Sequence, residues 1–233
     1  MRNATFFKIY IAFSIVYLLV LLLGYENLDL FLKPALIPLL GFGVYFCRKF
    51  PIKNAVLTAL LFCWIGDIVL LFADIAEIYF ILALVSFLFS HIIYCVIFNN
   101  QIKRLKERNT VVFAIGSFLT ALYLIGMLCV LFPALGDLKI PVIIYATVIC
   151  TMLIFAFNGF LVWENPGNKY VFFGALIFVI SDSILAINKF HSPIEKSSFF
   201  IMLTYLVAQY LIVVGILKLN LKKGEPADAA DVY

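Results

Sequence analysis

The chain has 233 residues, 65% of them hydrophobic and only 13% charged, with a mean hydropathy of +1.12. A soluble domain is roughly half apolar and about one quarter charged, and a chain of this size cannot hide such an excess from water. A water-soluble enzyme, a disordered regulator and a nucleic-acid-binding module are therefore excluded, and the net charge of +4 matters through its placement.

About 20 apolar residues cross the hydrocarbon core of a bilayer as a helix. Walking the chain with that ruler predicts an all-α integral membrane protein, a single domain over 1–223 built as a bundle of eight transmembrane helices. The first span, about 6–24, is too long for the apolar region of a signal peptide and lacks a small-x-small cleavage site. The second, about 30–47, opens on Lys33-Pro34 and carries a further Pro38. The third, about 54–73, contains Asp67, and the fourth, about 78–98, contains His91 and Tyr94. The fifth and sixth run over about 111–132 and 141–162. The seventh, about 170–189, contains Asp182 and ends on Lys189; the eighth, about 197–217, carries Tyr205 and Gln209. Short breaks rich in Pro, Gly and charge separate them. Residues 224–233 form a short acidic tail, expected to be disordered and without a lipidation motif.

Lysine and arginine in short loops set orientation. With the N-terminus inside, thirteen basic residues fall on the inner side and four on the outer: Lys33, Lys139, Lys189 and Lys196. Both termini are thus expected to be cytoplasmic, and the protein a multi-pass one, in the plasma or inner membrane of a bacterium or an endomembrane of a eukaryote. The five cysteines show no C-x-x-C pairing and read as small buried hydrophobes.

An ionisable group at membrane depth is costly, and function is its default explanation. Three stand well inside the spans: Asp67, His91 and Asp182. The two acids lie in similar settings, Gly66-Asp67-Ile68 and Ser181-Asp182-Ser183-Ile184, four spans apart. Each is roughly 10 Å below the outer edge of its span, so the two can converge on one site. His91 falls roughly 20 Å below that edge, with Tyr94 on the same face. Tyr205 and Gln209, at i and i+4, place polar groups near both layers. Lys189 lies two turns outward of Asp182 on one stripe of the seventh span, at the same boundary as Lys33. Those two lysines suggest a phosphate-binding mouth over an acidic cavity. The plainer readings are polar packing between helices for the acids, histidine and glutamine, and snorkelling for the lysines.

These segments resemble the YhhN-like lysoplasmalogenase family of multi-pass membrane proteins. The resemblance rests on Lys33-Pro34, Gly66-Asp67-Ile68, Ser90-His91-Ile92-Ile93-Tyr94, Tyr145 with Met152, and Tyr205 with Ala208-Gln209. Its most specific piece is Ser181 to Phe190, which includes Asn188. The resemblance implies an ether hydrolase without a cofactor. Its substrate would be a lysophospholipid of the bilayer, cleaved at the vinyl ether to a fatty aldehyde and a glycerophosphoethanolamine or glycerophosphocholine. Such cleavage protonates a carbon, makes an oxocarbenium ion and captures it with water. Two carboxyls in one cavity can divide into acid and carboxylate, as in glycoside hydrolysis. Asp67 and Asp182 are the expected pair, with His91 beside them as a further catalytic residue. Tyr94, Tyr205, Gln209 and Asn188 would contact substrate, and Lys33 and Lys189 would hold its phosphate.

Two alternatives remain at this point. Asp67, His91 and Asp182 can be drawn as a metal set, although only two histidines exist and His191 lies in a loop. Intramembrane acids also serve proton-coupled transporters or lipid carriers. Matched Gly/Pro breaks in the two halves, frequent in transporters, are missing. The oligomeric state is not legible.

Overall fold

A computed structural model describes residues 2–102 and 109–221. Most of the basic loop after the fourth span, and the tail after Leu221, lie outside the described residues. The described chain is all-helical, with eight α-helices: α1 (Arg2–Leu22), α2 (Asp29–Tyr45), α3 (Lys53–Leu70), α4 (Glu77–Ile102), α5 (Thr110–Leu131), α6 (Lys139–Val162), α7 (Gly167–Ala186) and α8 (Ser197–Asn220). Seven of them are long and apolar enough to cross a membrane, which makes this a multi-pass membrane protein. The helix left out is α2, whose 17 residues span about 25 Å. It carries Pro34 and Pro38 and is preceded by a 3-10 turn over Glu26–Leu28.

Neighbouring helices close into a ring in the order α1, α2, α3, α4, α6, α7, α8 and back to α1. Helix α5 stands outside this ring against α6, and its outward face is a run of exposed apolar residues including Ile115, Phe118, Leu122 and Ile125. The tightest seam joins α7 to α8. A Cβ on Gly174 would meet the Ile212 backbone nitrogen at 2.9 Å and the Ala208 carbonyl at 3.1 Å. A Cβ on Gly215 would meet the Val171 nitrogen at 2.8 Å. Small residues bring helix backbones together where lipid offers no hydrophobic drive of its own. This seam fixes the helices that carry Asp182 and Tyr205. Gly66 plays a similar part between α3 and α4, where a Cβ would meet the Phe87 ring at 2.9 Å.

Helix α7 does not run straight to its end. It passes into a π-helical segment, Ile187–His191, closed by a hydrogen bond from the Ser192 nitrogen to the Ile187 carbonyl. The wider turn rotates its side chains away from the positions an α-helix would give them.

Candidate active site

One end of the bundle holds a mouth of about 550 Å³. Its walls include Tyr17 of α1, Asp29 and Lys33 of α2, Asp74 of the α3–α4 loop, Asn188 and Lys189 of the π segment, and Ser197 and Ser198 of α8. Leu70, Leu185, Ile201 and Met202 also line it, on α3, α7 and α8. Asp67, Asp182 and Tyr205 each lie three or four residues further along these helices, about one turn deeper. Both acids thus sit beneath the mouth.

The two carboxyls have different company. Asp67 is 3% exposed and accepts a hydrogen bond from the Tyr205 hydroxyl at 2.7 Å. One turn further in, Gln209 donates to the Cys63 sulfur at 2.9 Å and accepts from Tyr94 at 3.2 Å, while Cys63 lies 3.0 Å from the Ser90 hydroxyl. Asp182 accepts from the Tyr145 hydroxyl, and its Oδ2 lies 3.8 Å from His91 Nε2. Its side chain is 16% exposed. Phe178 makes edge contacts with both centres, its ring centroid 4.7 Å from that of His91 and 5.5 Å from that of Tyr205.

His91 is buried, and its tautomer is set by its neighbours. Nδ1 bonds the Phe87 carbonyl, which can only accept, so Nδ1 carries the hydrogen. In the neutral ring Nε2 is then a bare acceptor, and it is buried without a hydrogen-bond partner. It faces the Asp182 carboxyl.

Asp182 also lines a narrow apolar slot of about 70 Å³ between α4, α5, α6 and α7. Phe80, Leu84, Met127, Val142, Ile149 and Val179 are among its walls. Beside it, the Tyr123 hydroxyl bonds the Ser183 hydroxyl.

The structure therefore brings His91 to Asp182 and Tyr205 to Asp67. It gathers Lys33, Asn188 and Lys189 around the mouth. Tyr94 and Gln209 are wholly buried and engaged with each other, deeper than either acid. Asn188 accepts from the Ile194 nitrogen at 2.9 Å, so its carbonyl holds the α7–α8 loop. Lys189 lies over the Phe80 ring, 5.3 Å from its centroid. Lys189, in the π turn, lines the mouth, and Asp182, two turns earlier on α7, lines the slot. Tyr145, which bears directly on Asp182, has no role that its place in the sequence alone assigns. Its signal is a phenol at membrane depth, whose hydroxyl needs a partner. Among the described residues, no three His, Cys, Asp or Glu side chains are grouped so as to hold a metal ion.

A family model described as the YhhN family matches residues 28–216, from the foot of α2 to the last turns of α8. The chain belongs to the YhhN family. Within curated proteins, this YhhN-family protein is similar to the human lysoplasmalogenase TMEM86A, 29% identical over 190 residues that cover 76% of the chain and 71% of the relative. The bovine lysoplasmalogenase TMEM86A is 27% identical over the same shares. No solved structure matches. The YhhN match takes in the mouth lysines, both acids, His91 and Tyr145, and leaves α1 outside.

Proposed function

We propose that this protein hydrolyses the vinyl-ether bond of a lysoplasmalogen, releasing a fatty aldehyde and a glycerophospho head group. The observation that carries the reading is Asp182 in its setting. It is an intramembrane acid held by Tyr145, faced by an unpartnered imidazole nitrogen, beside an apolar slot and below a mouth lined by two lysines. The relatives named as lysoplasmalogenases agree with it. The mouth lies at the end away from Lys8, Lys169 and Lys218, so it opens on the outer side if the basic residues mark the inside.

The arrangement supports a cycle that balances. The lipid phosphate sits at Lys33 and Lys189, and the first carbons of its single chain reach the slot beside Asp182. Asp182, starting protonated, gives its proton to the vinyl carbon not bonded to oxygen, leaving an oxocarbenium ion at the adjacent, oxygen-bonded carbon. Asp67, as carboxylate, stabilises that cation through the field of a low-dielectric interior. Water adds to the cation, and His91 Nε2 accepts the proton it sheds. That proton returns to the Asp182 carboxylate 3.8 Å away. Collapse of the hemiacetal frees the aldehyde and the alcohol. One water is consumed per lipid, and the protein ends as it began.

The test is purified protein given a lysoplasmalogen and, separately, its saturated 1-alkyl ether analogue. Aldehyde from the first alone is expected. Asp182→Asn or Asp67→Asn should sharply reduce its release, and full activity in either variant would overturn the paired-acid mechanism. Transport of intact lipid across proteoliposomes, with no product, would replace hydrolysis by a carrier function.

A further inference from the structure

The charged residues lining the mouth are two of each sign: Lys33 and Lys189, Asp29 and Asp74. A pocket meant for phosphate alone gains nothing from two carboxylates on its walls, because like charge repels an anion there. Lys33 is 7% exposed and opens into the mouth, within the field of the Asp67 carboxyl one layer deeper, so it can face a ligand phosphate from the inner side. Asp29 precedes Lys33 by four residues on α2, so the two share one face about one turn apart, with Asp29 the nearer to the rim. They do not neutralise each other by direct contact. The Tyr17 hydroxyl donates to Asp29 Oδ1, and both residues line the mouth. Tyr17 itself is buried, so this anchor is fixed by the core.

A phosphodiester carrying an ammonium on a two-carbon arm separates its two charges by a distance comparable with one helical turn. We infer that Asp29 is a head-group determinant: it receives the ammonium of a zwitterionic lysophospholipid whose phosphate lies at Lys33 and Lys189. This rests on the reading that the mouth receives a lysophospholipid, and it names the residue that reads the head group. The mouth then holds a neutral head group by matching its two ends, and it disfavours head groups that are only anionic. Asp74, exposed at the rim, contributes to the same negative field.

The test measures equilibrium binding of uncleavable saturated 1-alkyl lysophospholipids to the full-length protein in detergent. Three probes differ only in head group: ethanolamine, choline and glycerol. The wild type is expected to bind a cationic-ended head about tenfold more tightly than the glycerol one, the scale of one close charge–charge attraction in a partly buried site. The stronger of the two cationic heads identifies the natural one. Asp29→Asn retains the acceptor for Tyr17, so the packing is conserved, yet it should level the three affinities. Asp29→Glu should restore the preference, and Lys33→Gln should weaken all three together. Equal affinities in the wild type, or an Asp29→Asn variant that keeps the preference, would overturn the inference and leave hydrolysis standing. Failure of every probe to bind would remove the lysophospholipid reading itself.

Discussion

Asp67 and Asp182 occupy similar sequence settings and the same layer of the bundle, yet their surroundings differ in kind. Asp67 is enclosed: a tyrosine donates to it, and the polar groups one turn deeper satisfy one another through Gln209, Tyr94, Cys63 and Ser90. Asp182 is open on one side to an apolar slot and faces a histidine nitrogen with an unused lone pair. Buried polar networks that are fully satisfied hold a structure in place, whereas an unsatisfied buried group calls for an explanation. Under the mechanism proposed above, the contrast gives Asp67 the fixed charge and Asp182 the proton traffic.

The sharpest way to break that contrast is to neutralise each acid without changing its size. Asp182→Asn removes the transferable proton and should cut the rate of aldehyde release by about 10⁴-fold, the upper range for a general acid. Its helical content and thermal midpoint should stay close to wild type. Asp67→Asn removes a stabilising charge but leaves an acceptor for Tyr205, and a loss nearer 10²-fold is expected. Equal losses would show that the two carboxyls act as one unit. A larger loss at Asp67 would reverse their roles.

His91 sharpens the comparison from the side of Asp182. His91→Gln offers an amide in place of the Nε2 acceptor but cannot relay a proton, so turnover should fall about 10²-fold. Substrate affinity, measured with the saturated analogue, should be unchanged. A loss of binding instead would make His91 a packing group.

Much of this arrangement is legible in the amino-acid sequence. Eight helices can be read because the bilayer imposes a length and an apolar composition, and each break carries Gly, Pro or charge. Asp67, His91 and Asp182 stand out because charge is rare at that depth. The meeting of His91 with Asp182 is not legible, since counting residues puts them about 10 Å apart in depth. Side chains on a helix lean toward its N-terminus. Helix α4 starts at the mouth and α7 ends there, so His91 leans outward and Asp182 leans inward, and the gap narrows. The π segment is equally hidden: nothing in Ile187-Asn188-Lys189-Phe190-His191 announces a wider turn, yet its Asn188 and Lys189 line the mouth. Asp29 reads as an ordinary helix-edge acid because its meaning depends on Tyr17 and Lys33, which only the fold assembles.

A further prediction concerns the frame shared by both centres. Gly174→Val places a side chain against the α8 backbone at Ala208 and Ile212, where neither neighbour can move aside as a side-chain tip would. Overpacking of this kind costs about 1–3 kcal/mol, so the thermal midpoint should drop. Activity should fall in proportion for the Asp67 and Asp182 centres alike, because α7 and α8 carry groups of both. Gly126→Ala on α5, where a Cβ meets nothing within 4 Å, is the control and should leave stability unchanged or slightly raised.

The smallest expected effect comes from the two tyrosines, and it separates the centres most finely. Tyr145→Phe and Tyr205→Phe each delete one hydroxyl donor to a carboxylate oxygen. At Asp182 that donor touches the group whose proton moves, so its loss alters the carboxyl in both protonation states. Turnover should fall about tenfold, with the affinity for the saturated analogue intact. At Asp67 the donor steadies a charge that stays in place throughout the cycle. Its loss leaves that charge buried without its partner, and the cost should appear in folding, as a lower thermal midpoint. Turnover should then change less than it does in Tyr145→Phe. If Tyr205→Phe instead slows turnover more than Tyr145→Phe while melting as wild type, the enclosed acid is the one that moves the proton, and the assignment of the two carboxyls is inverted.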